Sequence, residues 1–220
     1  MRIHIVTILL VMIIVVALPQ VARGACPSSL VVDDFASGQY GVTLTPDGHL
    51  VMAVRRGSMI GGRRLTMFSS VPNPFNQRAI LDIAPDDSSV LVVDTGIHVS
   101  HRLEVYYGFD LKKGQVVPTP LNLDLRCFSK FRVHFNSNDL MVNVTMQVTA
   151  GNNPTNRASH SVNVPAHESE FVVDVPFSDF VPNAGPLPDF IDIDLIDIVS
   201  QTGSAIGAND YAITLIEAAP

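Results

Sequence analysis

From residue 30 onward the chain alternates apolar and polar residues with a period of two. "LVVDDF" (30–35), "YGVTLT" (40–45), "HLVMAVR" (49–55) and "RLTMFSS" (64–70) each predict a short strand, set apart by Ser-Gly and Pro-Asp-Gly turns. The pattern continues through "RAILDIA" (78–84), "SVLVVDT" (89–95), "HRLEVYYG" (101–108) and "KFRVHF" (130–135). "DLMVNVTMQVT" (139–149) is the cleanest case, with Met141, Asn143, Thr145 and Gln147 on one face and Val142, Val144, Met146 and Val148 on the other. "SVNV" (161–164), "EFVVDV" (170–175), "FIDIDLIDIV" (190–199) and "YAITLIE" (211–217) complete the series. No window places apolar residues at i, i+3, i+4 and i+7 between helix caps. The expected fold is all-β: a single antiparallel β-sandwich, jelly-roll-like, with one wetted face per sheet.

One strand carries a register prediction. In "IDIDLIDI", Asp192 and Asp194 face opposite to Ile191, Ile193 and Leu195, but the adjacent Leu195 and Ile196 break the alternation. Without a bulge there, Asp197 falls on the apolar face, because one extra residue reverses the facing of all that follow.

The strands are preceded by a different pattern. Arg2, an apolar run from Ile5 to Leu18 interrupted by Thr7, then Pro19 and the small residues Ala22, Gly24 and Ala25 form a secretory signal peptide over residues 1–25. The run is shorter than the roughly 20 apolar residues of a membrane span, so no transmembrane anchor is expected in the mature chain. Cleavage after Gly24 puts Ala22 in the small-residue position, and cleavage after Ala25 puts Arg23 there. A third route, lipid attachment at Cys26, is disfavoured by Arg23. The expected location is secreted or extracytoplasmic: cell surface, periplasm or extracellular. The β-sandwich domain then spans residues 26–220.

Composition narrows the function. Once Arg2 and Arg23 are removed, 12 basic residues face 21 acidic ones, a net charge of −9, which argues against nucleic-acid binding. Arg55, Arg56, Arg63 and Arg64 lie within ten positions, whereas Ala158–Pro220 holds ten acids and no Lys or Arg. Cys26 and Cys127 are the only cysteines, and export makes a disulfide between them the expected pairing, in competition with a lipid on Cys26.

"RRGSMIGGRRLTM" (55–67) has the outline of a phosphate-binding loop, but such a loop must open a helix. Arg63 and Arg64 stand where Lys and a hydroxyl belong, and the following residues predict a strand. Gly57, Gly61 and Gly62 are therefore read as a turn or bulge. Arg63 and Arg64 begin the next strand facing opposite ways, one positioned to pair with Asp192 or Asp194.

"VVDDF", "GSMIGGRRL", "LEVYYG", "FVVDVPFSDF" and "NDYAITLIE" together resemble a group of exported bacterial β-sandwich proteins with an N-terminal Asp-Asp-Phe strand and a Gly-Gly-Arg element. Those proteins are often held by a C-terminal sorting helix and have no established activity. This chain departs from them in closing on "EAAP", without an apolar tail. The same outline is distantly similar to jelly-roll carbohydrate-binding modules, which implies a fold more firmly than a ligand.

Candidate chemistry is sparse. No G-x-S-x-G elbow is present, and His98 and His101, three apart, point to opposite faces if they lie on a strand. Calcium is the metal best suited to the acids, with Asp33 and Asp34 of the first strand and Asp210 of the last as candidate ligands; no other cofactor is expected. Ligand-binding candidates are Arg55, Arg63 and Arg64 with Tyr106 and Tyr107, the aromatic pair in a chain without Trp. The expected function is an exported, non-catalytic β-sandwich module at the cell surface or in the extracellular matrix, partnered by a polysaccharide or another surface protein. The alternatives are a glycan-binding module and a hydrolase with a site dispersed over loops.

Overall fold

The computed structural model describes residues 26–44, 50–70, 73, 75–84, 88–151, 153, 155–202 and 207–220. Residues 1–25, expected from the sequence to be a signal peptide, lie outside the described residues. The strands are β1 (Leu30–Asp33), β2 (Tyr40–Leu44), β3 (Val51–Arg56), β4 (Arg63–Ser70), β5 (Ala79–Ile83), β6 (Leu91–Thr95), β7 (His101–Tyr107) and β8 (Phe109–Lys112). They continue as β9 (Gln115–Pro118), β10 (Lys130–Asn138), β11 (Val142–Ala150), β12 (Arg157–Val164), β13 (Phe171–Pro176), β14 (Val181–Pro182), β15 (Ile193–Gln201) and β16 (Asn209–Ala219).

Two seven-stranded antiparallel sheets stack into a jelly-roll-like sandwich. The first runs β13-β10-β16-β6-β5-β2, with β1 also paired to β16, and the second runs β14-β12-β11-β15-β7-β4-β3. Alternation decides which side chains meet between them: Leu81, Val93, Phe131 and Val133 from the first sheet, and Phe68, Val105, Val144 and Ile196 from the second, are fully or almost fully buried in one core. The β8–β9 hairpin belongs to neither sheet. It lies over the outer face of the second sheet, against β4 and β3.

The bulge foreseen in "IDIDLIDI" is present, slightly earlier than its sequence position. Thr149 pairs with Leu195 and Ala150 with Ile193, so Asp194 is the extra residue. Ile196 and Ile198 then face the core, and Leu195 and Asp197 face outward. The first and last strands pair side by side, with Leu30 opposite Ala218 and Asp33 opposite Ile216. Just before β1, Cys26 is joined to Cys127 in a disulfide, with Cα atoms 5.3 Å apart. That leaves no thiol at Cys26 for a lipid.

Candidate functional site

The glycine-arginine loop leads directly into a strand and opens no α-helix. Gly61 (φ 69°) and Gly62 (φ 70°) make one left-handed turn, and β4 starts at the next residue. Arg63 and Arg64 face opposite ways as expected, but their partners correct the sequence reading. Arg63 Nη1 reaches Asp110 Oδ2 of β8 at 2.6 Å, and Arg64 Nη1 reaches Asp33 Oδ2 at 2.6 Å, rather than Asp192 or Asp194.

Arg64 and Asp33 are 0–1 % exposed, which removes Arg64 from any surface site. The Tyr107 hydroxyl donates to the same Asp33 oxygen at 2.8 Å, and Tyr107 is also wholly buried. Arg64 Nη2 donates to the Ser37 and Gly38 carbonyls, and its guanidinium lies 5.4 Å from the centre of the Phe35 ring. Phe35 itself adopts φ 54°, a conformation costly for a bulky residue, which its N–H secures by donating to Asp33 Oδ1 at 2.9 Å. Residues from "DDF", "GGRR" and "VYYG" thus form one internal bridge between the sheets. Burial and the Asp33 charge hold the Tyr107 phenol well above its usual range.

Arg55 lies on the edge strand β3, over the Tyr40 ring at 4.9 Å. The structure therefore separates the five ligand candidates: Tyr106 and Arg63 on the outer face of the second sheet, Arg64 and Tyr107 inside, Arg55 at the edge.

The three calcium candidates are separated as well. Asp33 pairs opposite Ile216, six residues and about 20 Å of strand from Asp210. Asp210 Oδ1 accepts the Thr95 N–H at 3.1 Å, and burial together with Asp94 and Asp139 raises its carboxyl pKa. Asp34 Oδ1 accepts the Ala36 N–H. Among the described residues, no three His, Cys, Asp or Glu side chains come together to hold a metal ion.

The outer face of the second sheet carries the distinctive cavity. About 310 Å³ is enclosed by Met67 of β4, Tyr106 of β7, Leu195 and Asp197 of β15, Gln147 and Thr149 of β11, and Arg157 of β12, with Phe109 and Val116 of the hairpin as its roof. Strand register explains the assembly. Tyr106 is opposite Asp197, which is opposite Gln147, so all three share the outward face. The Asp194 bulge turns Asp197 to this side. Phe109 fixes the roof by meeting Tyr106 edge-on at 5.3 Å, and the Arg63–Asp110 ion pair ties it to β4.

The groove is polar where it is buried. Asp197 is 8 % exposed; its Oδ2 accepts from Gln147 Nε2 at 3.5 Å, and its Oδ1 has no hydrogen-bond partner. Arg157 Nε is likewise buried without one. Burial, reinforced by the Glu104 charge and opposed by Arg102 and Arg157, pushes the Asp197 carboxyl up to about 7. Tyr106 donates to Glu104, which also holds Arg102 at 2.6 Å. Burial and the Asp197 and Glu104 charges raise the Tyr106 phenol. A wider depression of about 720 Å³ is bordered by Asn138, Asp139, Ala166, His167, Glu168 and Ser169, but it has no aromatic platform of the kind Tyr106 and Phe109 provide.

No family model and no curated protein sequence matches the chain. Among solved structures, it is similar in outline to the family 11 carbohydrate-binding module from Clostridium thermocellum in complex with a β-1,3-1,4-mixed-linked tetrasaccharide. Identity is 11 % and the TM-score 0.40, over 87 % of this chain and 95 % of that one. TmCBM61, in complex with β-1,4-galactotriose, matches at 11 % identity and TM-score 0.33, over 79 % of this chain and 88 % of that one. The agarase AgWH50C matches at 11 % identity and TM-score 0.40, over 87 % of this chain but 26 % of its own.

Sequence reasoning singled out Tyr106 and Arg63 but missed Asp197, Gln147, Thr149, Arg157 and the hairpin. "FDLKKGQVVP" does alternate around a turn. Its Lys113-Gly114 pair takes φ 52° and 78°, a turn usually marked by Asn-Gly or Asp-Gly, so the composition conceals it.

Proposed function

We propose that the protein is a non-catalytic β-sandwich module that binds a saccharide in the groove beneath the β8–β9 hairpin. One observation carries this reading: a buried carboxylate oxygen and a buried guanidinium N–H, both without partners, line the same aromatic-edged cavity. Buried polar atoms are normally satisfied, and a carboxyl raised to about 7 destabilises the fold at neutral pH. Such groups are characteristic of sites where a ligand completes the hydrogen bonding. Saccharides suit the remainder, because their C–H faces pack on Tyr106, Phe109 and Met67 while their hydroxyls meet the polar wall. A volume of about 310 Å³ is at the low end of the range of roughly 300–1,000 Å³ for small-ligand pockets, which fits one or two sugar units rather than a long chain.

The carboxyl inventory supports a role other than glycosidic cleavage. Glycosidic cleavage takes two carboxyl groups flanking the bond. The described groove lining contains one, Asp197, while neighbouring Glu104 is held by Arg102 and Tyr106.

The test is amide-shift mapping of the disulfide-bonded protein against a panel of oligosaccharides. Perturbations are expected at Met67, Tyr106, Gln147, Thr149 and Leu195, and Tyr106→Ala is expected to weaken binding about tenfold or more. Binding unaffected by Tyr106→Ala, or no shift with any sugar, overturns the proposal.

A further inference from the structure

We infer that the groove accepts an uncharged saccharide, whose hydroxyls donate to the Asp197 carboxylate and accept from the Arg157 guanidinium, and that it turns away uronic-acid and sulfated sugars. This deepens the saccharide reading above and rests on it.

Few charges face the cavity from the elements that line it. On β4, Met67 is neutral, and Arg63 is occupied by Asp110 of the hairpin. On β7, Tyr106 lines the wall, with Glu104 and Arg102 paired beyond it. The β11 residues Gln147 and Thr149 are neutral. That leaves Asp197 of β15 and Arg157 of β12, one charge of each sign.

Their unpartnered atoms are of complementary kinds. An ionised carboxylate oxygen only accepts, and a guanidinium N–H only donates. A hydroxyl does both, so neighbouring hydroxyls of one sugar satisfy both atoms. A carboxylate or sulfate has acceptors alone: it satisfies Arg157 while bringing a second negative charge beside Asp197, and it gives up its own hydration to do so. An amino sugar has the converse difficulty at Arg157.

The experiment measures the affinity of the disulfide-bonded protein for neutral gluco-, galacto-, xylo- and manno-oligosaccharides and for oligogalacturonate and a sulfated galactan fragment. At least one neutral sugar is expected to bind at least about tenfold more tightly than either anion at pH 8. Asp197→Asn, which keeps the side chain's shape, is expected to lose about tenfold for the neutral sugar, the weight of one charge-assisted hydrogen bond. It is expected to gain for the anions, because the groove then carries a net positive charge.

The same substitution is expected to raise the midpoint of thermal unfolding at pH 8, so weaker binding cannot be ascribed to misfolding. Neutral-sugar affinity is also expected to fall about tenfold from pH 8 to pH 6 as Asp197, at about 7, takes up its proton.

Tighter binding of the anions by the wild type, or neutral binding unchanged in Asp197→Asn, overturns the inference about charge and leaves the saccharide site standing. Absence of any saccharide shift at the groove overturns the site itself, and this inference with it.

Discussion

At the scale of single residues, Arg64 shows how strongly environment decides what a side chain does. Read along the chain, it is one of four clustered arginines; in the fold it is 0 % exposed, with Asp33 2.6 Å from Nη1 and two backbone carbonyls accepting from Nη2. Removing one member of a buried ion pair leaves the other uncompensated, so Arg64→Met is expected to cost about 3–5 kcal/mol in chemical denaturation. The pair Asp33→Asn with Arg64→Met is expected to cost distinctly less than the sum of the single changes. Strict additivity would show that the two do not interact.

His101 offers a second test at this scale. It is buried, with Nε2 3.1 Å from the Tyr211 hydroxyl and Nδ1 3.2 Å from Thr202 Oγ1, and desolvation lowers its pKa to about 4. The unfolded chain, near 6.5, takes up that proton first. Its contribution to stability is therefore complete above about pH 6.5 and is lost as pH falls toward 4, by about 3 kcal/mol. Asp197 acts in the opposite sense: raised to about 7, it stabilises the fold as pH falls from 7 toward 4. Proton NMR resolves the histidine directly. Titration of the His101 ring near 6.5 in the folded protein would contradict its burial.

At the scale of elements, the β8–β9 hairpin converts a flat sheet face into a groove. It leaves β7 through Gly108, whose φ is 88° and whose missing Cβ would lie 2.3 Å from the Asp194 carbonyl oxygen. Gly108→Ala is therefore expected to destabilise the fold by about 2 kcal/mol and to shift the roof. Hydrogen exchange should accelerate over residues 109–118 while the β10–β16 pairing keeps its protection; an unchanged hairpin would show that the close approach is easily relieved. This element was hidden in the sequence because Lys113 occupies a left-handed position usually held by Asn or Asp. The β15 bulge was visible because two adjacent apolar residues interrupt a strict alternation, although Asp194 rather than the Leu195–Ile196 step absorbs the extra residue.

At the scale of the whole molecule, the Cys26–Cys127 bridge ties the start of β1 to the loop before β10 across a separation of 101 residues. A loop of that length is worth about 4–5 kcal/mol in chain entropy. Cys127→Ser is expected to lower the unfolding free energy by that order and to weaken protection in β1 first. Equal stability of the oxidised and reduced protein would mean that the β1–β16 pairing suffices without the bridge.

Residue order alone carries the strand periodicity, the absence of α-helices among the described residues and the opposite facing of Arg63 and Arg64, and it narrows Cys26 to a bridge with Cys127 or a lipid. These depend on neighbours along the chain or, for the cysteines, on there being only two. Which Asp meets which Arg, and which tyrosine faces outward, was settled only when the sheets stacked, because the contacts involved join residues 31 (Asp33–Arg64), 47 (Arg63–Asp110) and 74 (Asp33–Tyr107) positions apart. Asp33 therefore neutralises Arg64 inside the sandwich, while Asp197, turned outward by an upstream bulge, is left in the groove with an oxygen that no side chain satisfies.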